Sequence, residues 1–189
     1  LSKSRKECSK ELEKQLVRIL KDLNLPNAQV QIDLQGLEEP ISAGGENVEF
    51  LISVNPGEPP KPLRKVASGG EMSRILLAVK SLLQDGRSGC CFIFDEIDTG
   101  ISGATARIVG EKLKSISKAT QVICITHLPQ VASLADQHLK VIKTTNALET
   151  RSLVELLPFE GRVMEVARLV SGREINESAI AVARDLIGN

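Results

Sequence analysis

Apolar residues between Leu12 and Leu23 recur at alternating spacings of four and three (Leu12, Leu16, Ile19, Leu23), with Lys and Glu between them. That is the period of one helical face, and it predicts a helix over 1–23 that stops at Asn24 and Pro26. The period then changes to two. Ala28, Val30, Ile32 and Leu34 alternate with polar residues, and so, apart from Leu51, do Val48, Phe50, Ile52 and Val54. Two half-buried strands follow from that pattern. Ala43-Gly44-Gly45-Glu46 lies between them, ahead of a strand, so its glycines are assigned to a turn.

A Pro-rich stretch over 55–62 re-aims the chain. After Ser68 the helical period returns, with Met72, Ile75, Leu76, Val79, Leu82 and Leu83 read as the inward face. A turn is expected over 84–89. Cys90 to Phe94 form a continuous apolar run, the pattern of a strand buried on both faces. A helix over 103–117 (Ala104, Ile108, Val109, Leu113 and Ile116 inward) and a strand over 122–125 come next. Further strands are expected over 138–143 and 153–157, and helices over 162–170 and 177–187. Strands alternating with helices predict an α/β fold with parallel pairing and crossover helices.

Composition narrows the possibilities. In 189 residues, hydrophobic content is 42%, which supports a packed core. Lys plus Arg and Asp plus Glu are both 24, so net charge points to no nucleic-acid partner, and any DNA contact must come from a local patch or from other parts of a longer protein. Trp and Tyr are absent and Phe numbers four, which argues against a base-stacking platform. Cys8, Cys90, Cys91 and Cys124 show no metal-ligand spacing; Cys91 and Cys124 lie in apolar runs and are expected as buried thiols in a reducing cytoplasm. No run reaches membrane-spanning length, and no signal peptide is evident.

Three places carry candidate chemistry. Ser68, followed three residues later by Glu71 and then a helix, is a capping box. Gly69 and Gly70 add a second, compatible use, because a phosphate can approach the backbone where unpaired amides and the positive dipole end point outward. Asp95 and Glu96 end the apolar run, with Asp98 close behind. In open α/β sheets ligands bind at the carboxyl ends of parallel strands, where one acid can hold Mg²⁺ through water and its neighbour can orient or deprotonate an attacking water. His127 ends the second apolar run, a position suited to hydrogen bonding a phosphate oxygen. Ser102 and Gly103 read as an N-cap. No Gly-Lys dipeptide occurs, so the phosphate-binding loop G-x-x-x-x-G-K followed by Ser or Thr is missing.

Taken together, these stretches resemble the ABC-type ATPase heads of SMC-like DNA-repair and chromosome proteins, and within them the RecN family. VASGGEMSRILLAVK is similar to its signature helix, FIFDEIDTGISGATA to its Walker B strand and D-loop, and ITHLPQVASLADQH to its switch-histidine segment. VEFLISVNPGEPPKPLRKV and EVARLVSG are also similar, so the likeness runs from about Val30 nearly to the end.

The resemblance implies the carboxy-terminal lobe of an ABC/SMC-type P-loop NTPase head, with a largely parallel core sheet, flanking helices and an antiparallel strand pair near the N-terminus. Residues 1–24 would end a coiled-coil arm and 25–189 would form the lobe. It implies catalytic roles for Glu96 and His127, an Mg²⁺ role for Asp95, contact of Ser68, Gly69, Gly70 and Glu71 with the γ-phosphate of ATP held by the opposite head, and a D-loop role for Ser102 and Gly103. The wider family's D-loop ends in Asp, whereas Thr99 to Gly103 carry Ser102 here.

The implied partners are an amino-terminal Walker A lobe, a second head in an ATP-dependent homodimer, and DNA, with no membrane. The implied setting is recombinational double-strand-break repair and the SOS response at the bacterial nucleoid. An SMC-type chromosome-organising head, a non-catalytic docking module, and a metal-dependent nuclease using Asp95, Glu96 and Asp98 are the competing readings.

Overall fold

The structure is a computed structural model and describes residues 1–66, 68–83, 90–145, 149–172 and 174–188. The turn expected over 84–89 lies outside the described residues. The described chain divides into two compact units, residues 1–101 with 115–125 and residues 102–114 with 126–189.

In the first unit, α1 (Ser2–Asp22) buries Leu16 and Leu20, and Leu23 and Leu25 close its end. Asn24 adopts φ +64°, Leu25 N–H donates to Leu20 O, and Asn24 N–H donates to Lys21 O. This is a Schellman motif with Asn in the left-handed position, and the Leu20–Leu25 pair supplies its apolar contact. α1 packs on α2 (Gly69–Leu82) and on β1 (Gln29–Ile41), which pairs antiparallel with β2 (Gly44–Ser53). Ser42 and Ala43 form the turn between the strands, and the Gly-Gly pair expected there opens β2 instead, with Gly44 opposite Ile41 at φ +124°. β3 (Lys61–Pro62), too short to read from a Pro-rich segment, adds to the β2 edge.

β4 (Cys91–Phe94) and β5 (Gln121–Cys124) pair in parallel, joined through the crossover helix α3 (Gly103–Ser117). The expectation of burial on both faces fails. Phe94 is buried, but Ile93 is 64% exposed, Ile123 is 42% exposed, and Cys91 is exposed rather than buried. Phe92, Phe94, Val122 and Cys124 take the covered side, and alternation puts Cys91, Ile93 and Ile123 on the other.

In the second unit, α5 (Phe159–Ser171) and α6 (Glu177–Gly188) pack with α4 (Pro129–Ala132) around Val163, Val166, Ala167, Ala179 and Ala183. Asn176 Oδ1 accepts from Ala179 N–H and starts α6. β6 (Leu139–Thr145) and β7 (Thr150–Leu156), the further strands expected from the sequence, pair with each other, antiparallel. Only four residues separate them, and a crossover needs a dozen or more.

Two helical faces are also rephased. Leu77 is fully buried while Leu76 is 40% exposed and Leu83 is exposed. In α3, Ala106, Val109 and Leu113 are buried, whereas Ala104 is exposed. Gly110 lets α3 approach α4: a Cβ there would meet Gln130 O at 3.2 Å and Val131 Cα at 3.3 Å.

Candidate functional site

The site grows from the start of α2 and the turn after β4. Ser68 is extended (φ −90°, ψ 124°) and its Oγ accepts from Glu71 N–H at 3.4 Å, the N-cap half of the expected capping box. Ser68 is half-buried and Gly69 exposed, so this helix end reaches solvent; Gly70 is buried. Packing accounts for a glycine at this position. A Cβ on Gly70 would lie 3.0 Å from Glu96 O and 2.9 Å from Thr99 Cβ.

At the carboxyl end of β4, Asp95 and Glu96 are exposed and Ile97 and Asp98 are buried. Glu96 stands in the left-handed region at φ +56°, a conformation that costs a non-glycine residue about 1–2 kcal/mol. Its N–H is held by Asp95 Oδ1 at 2.9 Å. This bend brings the Glu96 carboxylate onto the α-carbon of Gly69, where a Cβ would collide with Oε2. The acidic side chain thus sits at the positive end of α2.

Every carbonyl from 95 to 99 has a donor. Ser73 Oγ–H donates to Asp95 O at 2.7 Å. Thr99 N–H donates to Glu96 O at 3.0 Å, and Ile101 N–H to Asp98 O at 3.3 Å. Arg74 Nη1 donates to Thr99 O at 2.7 Å and to Ile97 O at 3.4 Å. Arg74 is only 5% exposed; burial pulls its pKa below the ordinary arginine value, and the charge of Glu71 works the other way. Sequence reasoning missed Arg74, since an arginine beside Glu71 on an amphipathic helix reads as surface. Cys124, beneath the turn, has its thiol pushed up to about 12 by burial first and then by Asp98 and Asp95.

Ser68, Gly69, Gly70, Glu71, Asp95 and Glu96 all fall in the first unit. Ser102, Gly103 and His127 fall in the second. Gly103 opens α3 at φ +54°, and Ser102 O accepts from Ala106 N–H. His127 is exposed, in a segment where Leu128 N–H donates to Thr126 Oγ1.

The donor set fits a phosphate-bound cation. Asp95 offers one exposed carboxylate whose Oδ1 is occupied by Glu96 N–H, which suits a cation coordinated mainly by water and phosphate oxygens. The nuclease reading fits poorly. Among the described residues no group of three His, Cys, Asp or Glu could hold a metal ion, and Asp98 is 4% exposed.

No protein-family model matches the chain. Curated relatives do. The DNA repair protein RecN of Vibrio cholerae is 43% identical over 188 residues, and those of Rickettsia felis and Halalkalibacterium halodurans are 43% and 40% identical over 187 and 191 residues. Each match covers 99% of this chain but 34% of the relative, so the chain spans about a third of the length of these proteins.

Among solved structures, the Smc head domain with coiled coil and joint from Pyrococcus yayanosii covers 86% of this chain at TM-score 0.56 and 23% identity, with 29% of that chain covered. The Pyrococcus furiosus Smc head domain with an extended coiled coil, bound to the C-terminal domain of ScpA, covers 83% at TM-score 0.51, also at 23% identity, with 37% of that chain covered. An SMC-head-like fold, joined to identity of this order over nearly the whole chain, establishes that the chain belongs to the RecN family.

Proposed function

We propose that this chain is the carboxy-terminal lobe of the ATPase head of a RecN-like protein that acts in the repair of DNA double-strand breaks. ATP is sandwiched between two heads and hydrolysed with Mg²⁺. The Walker A loop lies in another part of the same protein, and residues 1–24 end its coiled-coil arm. DNA is engaged by the full-length protein in the bacterial cytoplasm. Among the described residues no helix is long and apolar enough to cross a membrane.

The observation that carries this reading is the meeting of the α2 start with the acid turn. An acid pair at the end of a parallel strand suits the cation and water of one nucleotide, and a capped, glycine-lined helix end suits the triphosphate of another; their occurrence in one unit supports a head that contributes to two sandwiches.

Each residue takes one role. Asp95 holds Mg²⁺ through water, and Glu96 orients and polarises the attacking water. His127 donates a hydrogen bond to a γ-phosphate oxygen. The Ser68 hydroxyl and the first amides of α2, with Glu71 holding the cap, bind the triphosphate carried by the opposite head, and Ser102 and Gly103 line that interface. Bound Mg²⁺ supplies positive charge that offsets charge building on the transferring phosphoryl group. The exposed apolar side of β4–β5 (Ile93, Ile123) supports a further lobe of the same protein covering it. The β6–β7 hairpin, with Val141 67% and Leu153 64% exposed, supports the same.

Glu96→Gln in the full-length protein tests the reading. It keeps shape and removes the charge that polarises water, so ATP binding persists and turnover falls by about a hundredfold or more. Turnover at the normal rate would show that the role given to Glu96 is wrong, whereas the docking-module reading requires that the wild-type full-length protein itself hydrolyses no ATP. This chain alone binds ATP poorly and does not hydrolyse it; hydrolysis returns on mixing with a separately made amino-terminal lobe.

A further inference from the structure

The least expected group in the first unit is the Arg74 guanidinium. A charge is costly to bury, and this one is spent on main-chain carbonyls. Among the described residues its Nε is buried without a hydrogen-bond partner.

The placement of its bonds shows what the group achieves. Consecutive residues of α2, Ser73 and Arg74, take the alternate carbonyls 95, 97 and 99, while the carbonyls between them are closed by amides of the turn itself. Serine can reach one carbonyl; Arg74 Nη1 reaches two, bridging the far half of the turn. Gly70, one helical turn earlier, brings the helix close enough for this: its α-carbon faces Glu96 O and Thr99, and a Cβ there would lie 3.4 Å from Arg74 Nη1.

The held segment contains Glu96, whose backbone is in a region that L-residues avoid. A conformation of that kind persists only where its surroundings over-determine it. The helix that supplies the clamp is the one that opens at Ser68.

We infer that Arg74 is a positioning residue that locks the 95–99 turn to the start of α2, so that the Glu96 carboxylate is held in place from the Ser68 end of that helix. This rests on the function proposed above. There, the α2 start faces one nucleotide and Glu96 acts on the other, so the clamp is a rigid link between two ATP sites within a single chain.

The test uses Arg74→Met and Arg74→Lys in the full-length protein. Methionine fills similar volume without a charge, and replacing a buried charge by an apolar group of similar size is often neutral or stabilising. The expected result for Arg74→Met is an unchanged or raised melting temperature and an unchanged KM for ATP. Its kcat drops by about a hundredfold, the scale of a misplacement of about 1 Å. Arg74→Lys, with one compact donor group, lies between methionine and wild type.

Amide hydrogen exchange at Thr99 and Ile101 gives a readout independent of turnover, and it speeds up in both variants. Folded Arg74→Met with kcat within twofold of wild type and unchanged exchange would overturn the inference. If Arg74→Met does not fold, Arg74→Lys decides, and full turnover with unchanged exchange is again fatal. Glu96→Gln separates the two levels. If it abolishes turnover while Arg74→Met leaves it intact, only the clamp is wrong. If Glu96→Gln is fully active, the assignment of Glu96 falls and takes the clamp's purpose with it.

Discussion

The Glu96 carboxylate rests on the α-carbon of Gly69, and no side chain can be added there without striking Oε2. Its neighbour Gly70 faces the same turn, but there a Cβ would meet Thr99 Cβ at 2.9 Å and the backbone Glu96 O at 3.0 Å, neither of them the far end of a flexible side chain. The two glycines of one motif therefore answer to different constraints. The far end of a glutamate can swing aside at little cost. A carbonyl tied into the turn by Thr99 N–H cannot.

Alanine at each position separates these constraints. Gly69→Ala leaves stability within about 1 kcal/mol of wild type, since alanine in a first helical turn also reduces the freedom of the unfolded chain. It displaces the carboxylate, so full-length turnover collapses. Gly70→Ala overpacks against backbone and destabilises by about 1–3 kcal/mol. Urea unfolding of the two variants checks the order; equal losses would show that the glycines are interchangeable.

The backbone of Glu96 yields a second expectation. At φ +56° a glycine is relaxed and a glutamate is not. Glu96→Gly should stabilise the protein by about 1 kcal/mol, offset in part by the greater freedom of glycine in the unfolded chain, while removing turnover in the full-length protein. Stability gained at the expense of activity is the behaviour of a strained working residue. A clear drop in melting temperature would show instead that the Glu96 side chain, through its seat on α2, is structural.

Much of this arrangement is legible in the chain, and the exceptions have physical causes. The start of α2 is local: Ser68, Glu71 and the helical period suffice. The end of β4 is nearly so, because acids halting an apolar run mark a strand's carboxyl end. Arg74 is not legible, since its burial depends on a turn folded from residues twenty-odd positions away. Leu76 and Leu77 exchanged places because the unbroken apolar run Ile75 to Val79 leaves the phase of the stripe undetermined. The run Cys90 to Phe94 reports that a strand is suited to cover on both faces, not that this chain supplies the cover. Its exposed side carries Ile93 beside Ile123.

The cysteines give a test of that sidedness. Cys8, Cys90 and Cys91 are exposed, while Cys124 lies on the covered side with its thiol pushed up to about 12 by burial and by Asp98 and Asp95. Alkylation proceeds through the thiolate. Iodoacetamide at mildly alkaline pH should label Cys8, Cys90 and Cys91 in the native chain and reach Cys124 only on unfolding. Peptide mass spectrometry reads the order. Native labelling of Cys124 as fast as Cys91 would mean that the strands face the other way.

Within the second unit, acid should act through Glu165. This carboxylate is 7% exposed and accepts from Arg168 Nε at 2.9 Å, with Lys140 Nζ 2.6 Å from its other oxygen. Burial works to raise its pKa, but the hydrogen bonds and charges of Arg168 and Lys140 outweigh it and hold the group below the ordinary 4.5. The folded state therefore binds the proton less readily than the unfolded chain. The stability from this group is complete above the ordinary carboxylate value and is lost as pH falls through the lower, folded value.

Glu165→Gln removes the charge and keeps the shape. It should cost about 2 kcal/mol near neutrality, the scale of hydrogen bonds to a charged group. The gap to wild type should close as the medium is acidified below the ordinary carboxylate range. Urea unfolding at neutral and acid pH measures both ends. A gap of the same size at both would mean that the ion pairs from β6 and α5 contribute nothing to the acid sensitivity of this unit, and that the loss comes from packing alone.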